Sequence, residues 1–314
     1  MTALMSATFG MSAQQVAPTT SDSVATVYFI KDITPENILK IYDALDRRAT
    51  GKVCVKLSFG ESGNPNHLSP QLIEPLVKGL DATLVECNTA YQSSRRNSAD
   101  HLKTAEEHGF TAIAPIDIMD EAGETILHVT GGKHIDHALI GDGWLKYDFT
   151  IVLSHFKGHP SGGFGGALKN MAIGMQSSNG KAWVHTAGKN KDADNWWNDR
   201  ASQDDFLETM AESSKAIIDR AGDNILYISV ANNLSVDCDC VAHPAPVQMA
   251  DIGIFASLDP VALDRACVDA IHNSPDHGKI HMEQRIAELN GTHLLDYAES
   301  LGIGTQKYVL ITIE

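Results

Sequence analysis

Two histidines, four glycines and a lysine lie close together near the middle of the sequence: His155, His159, Gly162, Gly163, Gly165, Gly166 and Lys169. Histidine changes its charge near neutral pH and binds transition metals, so the pair suits acid–base or metal chemistry. A helix that begins after the glycines would offer backbone N–H groups to an anion. We therefore treat the histidines and Lys169 as candidate catalytic residues, and Lys169 and the glycines as a candidate cofactor-binding loop. The alternative is that the glycines only let a helix pack closely on a sheet.

A second candidate site is the segment Cys238-Asp239-Cys240. Thiolates bind soft metals such as zinc and nickel, and two nearby cysteines can also form a redox pair. A complete metal site needs about four ligands, so others would have to come from the histidine-containing loop. His185 is a further candidate metal ligand. The alternatives are a structural turn with reduced thiols and a histidine on the surface.

Tyr91, Arg95 and Arg96 follow a predicted strand and are candidate substrate-binding residues. A pair of arginines suits a carboxylate or a phosphate, because each guanidinium can donate two parallel hydrogen bonds. The sequence therefore indicates a small anionic ligand, with solvent-exposed loop charges as the alternative.

These residues need a scaffold, and the apolar patterns predict one of alternating strands and helices. Residues 24–30, 52–57 and 82–87 are typical of strands, and helical patterns separate them. Residues 149–153 are apolar on both faces, which predicts a central parallel strand. The predicted fold class is α/β, with a mostly parallel sheet flanked by helices.

Ligands of such sheets bind at the carboxyl ends of the strands. Residues 154–163 are predicted to form a polar loop after the central strand, and residues 165–175 a helix. Residues 181–203 show no clear period, and residues 224–230 are predicted to form a strand before the cysteine pair. We therefore expect five residues to converge on one cleft, with His185 either closing it or disordered above it: His155, His159, Lys169, Cys238 and Cys240.

The composition limits the class of protein. Of 314 residues, 43% are hydrophobic and 20% are charged, which is ordinary for a globular chain and excludes a mostly disordered one. The net charge of −16 argues against nucleic acid as a partner. The sequence contains no run of about 20 apolar residues, so it predicts no membrane span. The pattern continues without a linker, so we expect one compact unit over residues 24–314 with lobes at 24–145 and 146–314.

The cysteine count also bears on cofactors. Of the five cysteines, Cys54, Cys87 and Cys267 lie in apolar strand or helix patterns and are predicted to be core thiols. Only the pair at 238 and 240 is left, so an iron–sulfur cluster with four thiolates is not expected.

Residues 1–23 begin small and apolar and continue polar, which resembles the end of an export signal without its basic region. This favours an exported, periplasmic protein, with a cytoplasmic chain and a polar tail as the alternative.

Several motifs together resemble the domain-of-unknown-function family 362. They are His-Phe-Lys-Gly-His at 155–159, Gly-Phe-Gly-Gly-Ala-Leu-Lys-Asn at 163–170, Cys-Asp-Cys at 238–240, Ser-x-Asp-Pro-Val-Ala-Leu-Asp at 257–264, Gly-Glu-x-Gly-Asn at 60–64 and Glu-x-Asn-Thr-x-Tyr at 86–91. Many relatives carry a ferredoxin-like insert after the glycines. Residues 181–203 take its place here, and they contain no cysteine.

The pattern His159-x9-Lys169 is also similar, over a short stretch, to the nickel-pincer lactate racemase family. This resemblance implies that Lys169 carries a covalent cofactor, that His159 is a catalytic histidine and that His185 binds nickel.

The sequence therefore favours a metal- or cofactor-dependent enzyme, with nickel or zinc, that acts on a small anionic substrate by racemase-like proton or hydride transfer. His155 and His159 would be acid–base groups or ligands. Two alternatives stay open: a redox protein that uses Cys238 and Cys240, and a non-catalytic small-molecule binding protein.

Overall fold

The computed structural model describes residues 24–314, so the predicted remnant of an export signal lies outside the described residues. Its strands are β1 (Ala25–Ile30), β2 (Val53–Lys56), β3 (Thr83–Glu86), β4 (Ile116–Ile118), β5 (Glu124–His128), β6 (His137–Gly141), β7 (Phe149–His155), β8 (Lys157–His159), β9 (Gly163–Gly165), β10 (Ile225–Ala231), β11 (Gly253–Ser257) and β12 (Tyr308–Thr312). Its helices are α1 (Pro35–Ala44), α2 (Pro70–Gly79), α3 (Ser98–Glu107), α4 (Ala167–Ala172), α5 (Ser178–His185), α6 (Gln203–Ala221), α7 (Pro260–Asn273), α8 (Lys279–Glu288) and α9 (His293–Ser300).

Eight strands form one sheet in the order β12-β1-β11-β10-β7-β2-β3-β4. Strand β11 runs antiparallel to both of its neighbours, and the other pairings are parallel. Strand β7 lies between β10 and β2, and all seven of its residues are buried. The predicted fold class and the predicted central strand are both confirmed.

The core lies on both faces of this sheet because successive side chains of a strand point in opposite directions. Val55, Ile151 and Leu153 belong to one buried apolar cluster. Cys54 and Val152 belong to the cluster on the other face. Cys87 and Cys267 are also buried there, so the three predicted core thiols lie in the core.

The helices begin where the sequence has capping residues. Asp259 accepts hydrogen bonds from the backbone N–H groups of Val261 (2.9 Å) and Ala262 (3.0 Å), as expected for an N-cap before Pro260. Among the described residues, no helix is long and apolar enough to cross a bilayer.

Three local predictions are wrong. Residues 154–163 are not a loop, because β8 and β9 form an antiparallel hairpin there. Its turn requires glycine at 163, where φ is +79°. The predicted helix at 165–175 is shorter, at Ala167–Ala172. The segment 181–203 is not wholly irregular, since α5 extends to His185 after an N-cap at Ser177.

Glu208 on α6 joins three parts of the chain. Its carboxylate accepts hydrogen bonds from Lys133 Nζ (2.8 Å), His134 Nε2 (2.6 Å) and His293 Nε2 (3.0 Å). Burial raises the pKa of Glu208, but these three bonds outweigh burial and lower it to about 2. The folded protein therefore gains stability from the ionised carboxylate above the unfolded pKa of 4.5, and loses it as the pH falls toward 2.

We expect Glu208→Gln to lower the free energy of unfolding by about 1–2 kcal/mol at pH 7, because the amide bonds fewer donors and carries no charge. Urea denaturation measures this, and Glu283→Gln, which removes the exposed pair with His272, is the matched control. The difference between Glu208→Gln and the wild type should shrink as the pH falls from 4.5 toward 2. A difference that does not depend on pH would contradict this account.

Candidate functional site

A cavity of about 90 Å³ lies at the carboxyl ends of β2, β3 and β7. Nine residues predicted from the sequence line it: Tyr91, Arg95, His155, His159, Gly165, Gly166, Lys169, His185 and Cys240. Cys238 is buried beside it, with its Sγ 3.5 Å from Lys169 Nζ. Besides Cys238, three predicted residues do not line it: Arg96, Gly162 and Gly163.

His155 is held by an ion pair rather than directed at a ligand. Its Nδ1 lies 2.8 Å from Asp239 Oδ1, and its Nε2 lies 2.6 Å from the carbonyl oxygen of Asn232. Lys157 Nζ donates to the other oxygen of Asp239 at 2.8 Å. Burial opposes ionisation of Asp239, but His155 and Lys157 lower its pKa to about 2. Both nitrogens of His155 are thus engaged, and a role in proton transfer is not supported by this geometry.

His159 has the opposite hydrogen-bonding pattern. Its Nδ1 accepts from the backbone N–H groups of Gly162 (2.8 Å) and Ser161 (3.2 Å). Burial lowers the pKa of His159, so the ring is neutral and its single proton belongs on Nε2. The ligand atoms of His159, Cys238 and Cys240 lie within 4.8 Å of one another. His159 is therefore placed as a hydrogen-bond donor near the two sulfurs.

Cys238 is the most acidic thiol of the site. The hydrogen bond from the Cys240 thiol is the largest cause that lowers the pKa of Cys238 well below the usual value, and the charge of Lys169 lowers this pKa further. Burial acts in the opposite direction. The same contact raises the pKa of Cys240. Burial opposes the charge on Lys169, but Cys238 outweighs it and raises the lysine pKa. These contacts favour a thiolate at Cys238, with the shared proton on Cys240, beside the charged amine of Lys169.

His185 is the last residue of α5 and also lines the cavity. Its Nδ1 donates to the carbonyl oxygen of Lys181 at 2.7 Å, and burial lowers its pKa to about 3. Its ring contacts those of Trp196 and Phe206, each with centroids 4.8 Å away. The ring is therefore neutral, with a lone pair on Nε2.

The two predicted substrate-binding arginines lie in different surroundings. Arg95 is buried, with Nη1 3.1 Å from Glu86 Oε1 and Nε 3.4 Å from Glu61 Oε2. Arg96 does not line the cavity and pairs with Asp194. Tyr91 donates to the carbonyl oxygen of Cys240 at 3.5 Å. One arginine therefore lines the cavity already paired, and the other helps to fix the loop.

The backbone N–H groups that begin α4 are not available to a ligand, contrary to the expectation from the glycines. The carboxylate of Asp264 accepts from Ala167 N (2.7 Å) and Leu168 N (3.0 Å). A Cβ at Gly166 would overlap that carboxylate, so glycine here admits Asp264. A Cβ at Gly163 would lie 2.9 Å from Gly291 Cα. A side chain at Gly163 or Gly166 would therefore require these neighbours to move.

Sequence reasoning missed several cavity residues: Lys56, Glu86, Lys157, Asn170 and Lys181. Lys56 had a recognisable signal, because it is a charged residue at the carboxyl end of an apolar strand. Asn170 was the last residue of a quoted motif. Its Nδ2 donates to the carbonyl oxygens of Lys56 and Leu153, both at 3.2 Å, and so joins β2 to β7.

Fold and site together define an α/β protein with a cavity at the carboxyl edge of its sheet and a pair of cysteines at that cavity. The chain belongs to the domain of unknown function family DUF362, whose match covers residues 53–269. No curated protein matches the chain.

Two solved structures share part of the fold. The lactate racemase apoprotein from Thermoanaerobacterium thermosaccharolyticum is 13% identical, with a TM-score of 0.39 and a match that covers 69% of this chain and 52% of that one. A structural-genomics protein from Thermotoga maritima is 12% identical, with a TM-score of 0.44 and coverage of 76% and 58%. The chain thus spans between half and three fifths of the length of these two proteins.

Proposed function

We propose that the protein is an enzyme that moves a proton on a carbon next to the carboxylate of a small substrate, with Cys238 as the base. The observation that carries this proposal is the position of the Cys238 sulfur, 3.5 Å from Lys169 Nζ and beside the Cys240 thiol and His159, next to the cavity. A thiolate that is already formed needs no separate base to activate it.

Each neighbouring group has a role in this chemistry. The Cys238 thiolate takes the proton from carbon and becomes a thiol, while the electron pair moves into the carboxylate to give an enediolate. Lys169 and the Nε2–H group of His159 stabilise that negative charge. Return of a proton from Cys238 or Cys240 gives an isomer of the substrate or the substrate itself, so the reaction needs no oxidant or reductant.

The donor set does not fit a metal ion bound by His159. A histidine that binds a metal through Nε2 carries its proton on Nδ1 and donates it to an acceptor. Here Nδ1 of His159 accepts two backbone N–H groups. The covalent cofactor implied by the racemase resemblance fits poorly as well, because an amide at Lys169 would leave the buried Cys238 thiolate without its counter-ion.

Hydrogen–deuterium exchange tests this function without knowledge of the product. The protein is incubated in D2O with a panel of small 2-hydroxy, 2-amino and dicarboxylic acids, and NMR follows loss of the C–H signal. We expect exchange with at least one compound, and we expect it to persist after dialysis against a chelator. Exchange that the chelator abolishes would indicate metal catalysis, and absence of exchange throughout would favour a binding protein.

A second candidate function is thiol–disulfide exchange. The ligand atoms of Cys238 and Cys240 lie within 4.8 Å, and an acidic thiol beside a second thiol favours disulfide formation. Equilibration with glutathione buffers, followed by mass spectrometry of the alkylated protein, measures the disulfide. A disulfide that forms reversibly in a protein inactive in the exchange assay would support this alternative.

A further inference from the structure

Five cationic side chains line the cavity among the described residues, and they differ in what balances their charge: Lys56, Arg95, Lys157, Lys169 and Lys181. Arg95 pairs with glutamates and Lys157 with Asp239. Lys169 lies against the sulfur of Cys238. Among residues 24–314, Lys56 and Lys181 form no ion pair.

Both of these ammonium groups are buried against neutral oxygens. Lys56 is 0% exposed, and its Nζ donates to the carbonyl oxygen of Leu57 (2.6 Å) and to Asn170 Oδ1 (2.9 Å). Lys181 is 6% exposed, and its Nζ donates to the carbonyl oxygens of Gln176 (2.7 Å) and Cys87 (3.4 Å). An ammonium group removed from water without an anionic partner is costly, so such groups are normally paired.

The carboxylates of this region are engaged elsewhere. Glu86 accepts from Arg95 Nη1, from the backbone N–H of Phe59 and from His101 Nε2. Asp120 accepts from the backbone N–H groups of Asn88 and Ser178. The charges of Glu86 and Asp120 act on the two lysines through space, but neither carboxylate contacts them directly. Each ammonium group is therefore able to bind an anion.

We propose that Lys56 of β2 and Lys181 of α5 form an anion subsite. The substrate therefore carries a second anionic group, a carboxylate or a phosphate, besides the carboxylate that reacts near Cys238. This inference rests on the proposed function only where it assigns the reacting carboxylate of the substrate to the position near Cys238. The subsite itself does not depend on it, because Lys169 is directed to Cys238 and Lys56 to Asn170.

The protonation of Lys56 supplies a second, independent measurement. Burial lowers the pKa of Lys56 to about 8; Glu86 opposes this, and Lys181 and Lys169 lower it further. An anion that binds next to Lys56 favours the charged amine. At a pH just above 8, binding should therefore be accompanied by proton uptake.

The experiment is calorimetric titration of the full chain with three probes. Acetate has one carboxylate, succinate has two, and phosphoglycolate has a carboxylate and a phosphate. We expect both two-ended probes to bind at least about tenfold more tightly than acetate, because the second anionic group gains charged hydrogen bonds that acetate does not form. The tighter of the two identifies the second group as a carboxylate or a phosphate.

Lys56→Met and Lys181→Met should each reduce the affinity for the tighter probe about tenfold or more and leave acetate unchanged. Lys189→Met, at an exposed position on the same segment as Lys181, is the control and should have no effect. Titrations in buffers of different ionisation enthalpy should show proton uptake in the wild type and less uptake in Lys56→Met, because burial lowers the pKa of Lys56 to about 8 and also lowers that of Lys181.

Two lysines on separate elements keep the test usable if one variant does not fold. Equal affinities for acetate and both two-ended probes, or unchanged binding in a folded lysine variant, would overturn the subsite. Cys238→Ser should keep the preference for the two-ended probe over acetate, because both lysines of the subsite are still in place. If the proposed reaction is wrong, hydrogen–deuterium exchange is absent while lysine-dependent binding is intact. If the subsite is wrong, exchange occurs but binding does not depend on the two lysines.

Discussion

Replacement of Cys238 by serine should reduce the rate of hydrogen–deuterium exchange by about 10²–10⁴-fold, the usual contribution of a general base. A serine hydroxyl keeps the size and the hydrogen bonds of the thiol but does not ionise near neutral pH. Cys240→Ser should have a smaller effect, because serine can still donate to the Cys238 sulfur. NMR under saturating substrate measures both variants.

A readout that does not require turnover accompanies this prediction. Ultraviolet absorbance of the thiolate should titrate at a pH well below that of an ordinary cysteine, because the Cys240 thiol and Lys169 stabilise the charged sulfur. Lys169→Met should move this titration to higher pH and move the acid limb of the exchange profile with it. A folded Cys238→Ser protein with undiminished exchange would exclude the thiolate as the base.

Replacement of Asp239 by alanine should lower the free energy of unfolding by about 3–5 kcal/mol at pH 7. Asp239 is 1% exposed, and it alone bonds both His155 Nδ1 and Lys157 Nζ, each at 2.8 Å. Without it, a buried ammonium group loses its counter-ion. The same change should disturb the cavity, since Asp239 stands between the two cysteines in the chain.

Urea denaturation measures this loss, and Asp251→Ala is the matched control. Asp251 is exposed and accepts one hydrogen bond, from the backbone N–H of Asn233. Its replacement should cost less than about 1.5 kcal/mol. A similar, small loss in both variants would mean that His155 and Lys157 find other partners, and the ion-pair description of this side of the cavity would be wrong.

The sequence by itself predicts the scaffold well because the scaffold depends on local patterns. The apolar run before His155 predicts a strand buried on both faces, and β7 occupies the centre of the sheet. Apolar surroundings of Cys54, Cys87 and Cys267 predict core thiols, and all three are buried. Motifs at strand ends then indicate which loops meet, since the carboxyl ends of parallel strands share one edge.

The same patterns do not predict the direction of a hydrogen bond or the partner of a charge. Asp264 lies 97 residues from Ala167 and accepts a hydrogen bond from its backbone N–H. No pattern in the sequence around α4 indicates that the N–H groups at the start of this helix already have a partner. His155 and His159 look alike in the sequence, yet one has both nitrogens engaged and the other accepts at Nδ1.

What the sequence determined, then, is the sheet, its core and the approximate edge of the cavity, because burial of apolar side chains is periodic along the chain. Only the tertiary structure decided which polar residues act there. Lys56 and Lys181 lie on elements far apart in the chain, and their shared lack of an ion pair is visible only when every neighbour within the described residues is in place. Electrostatic balance depends on all groups within a few ångströms, and those distances arise from the fold.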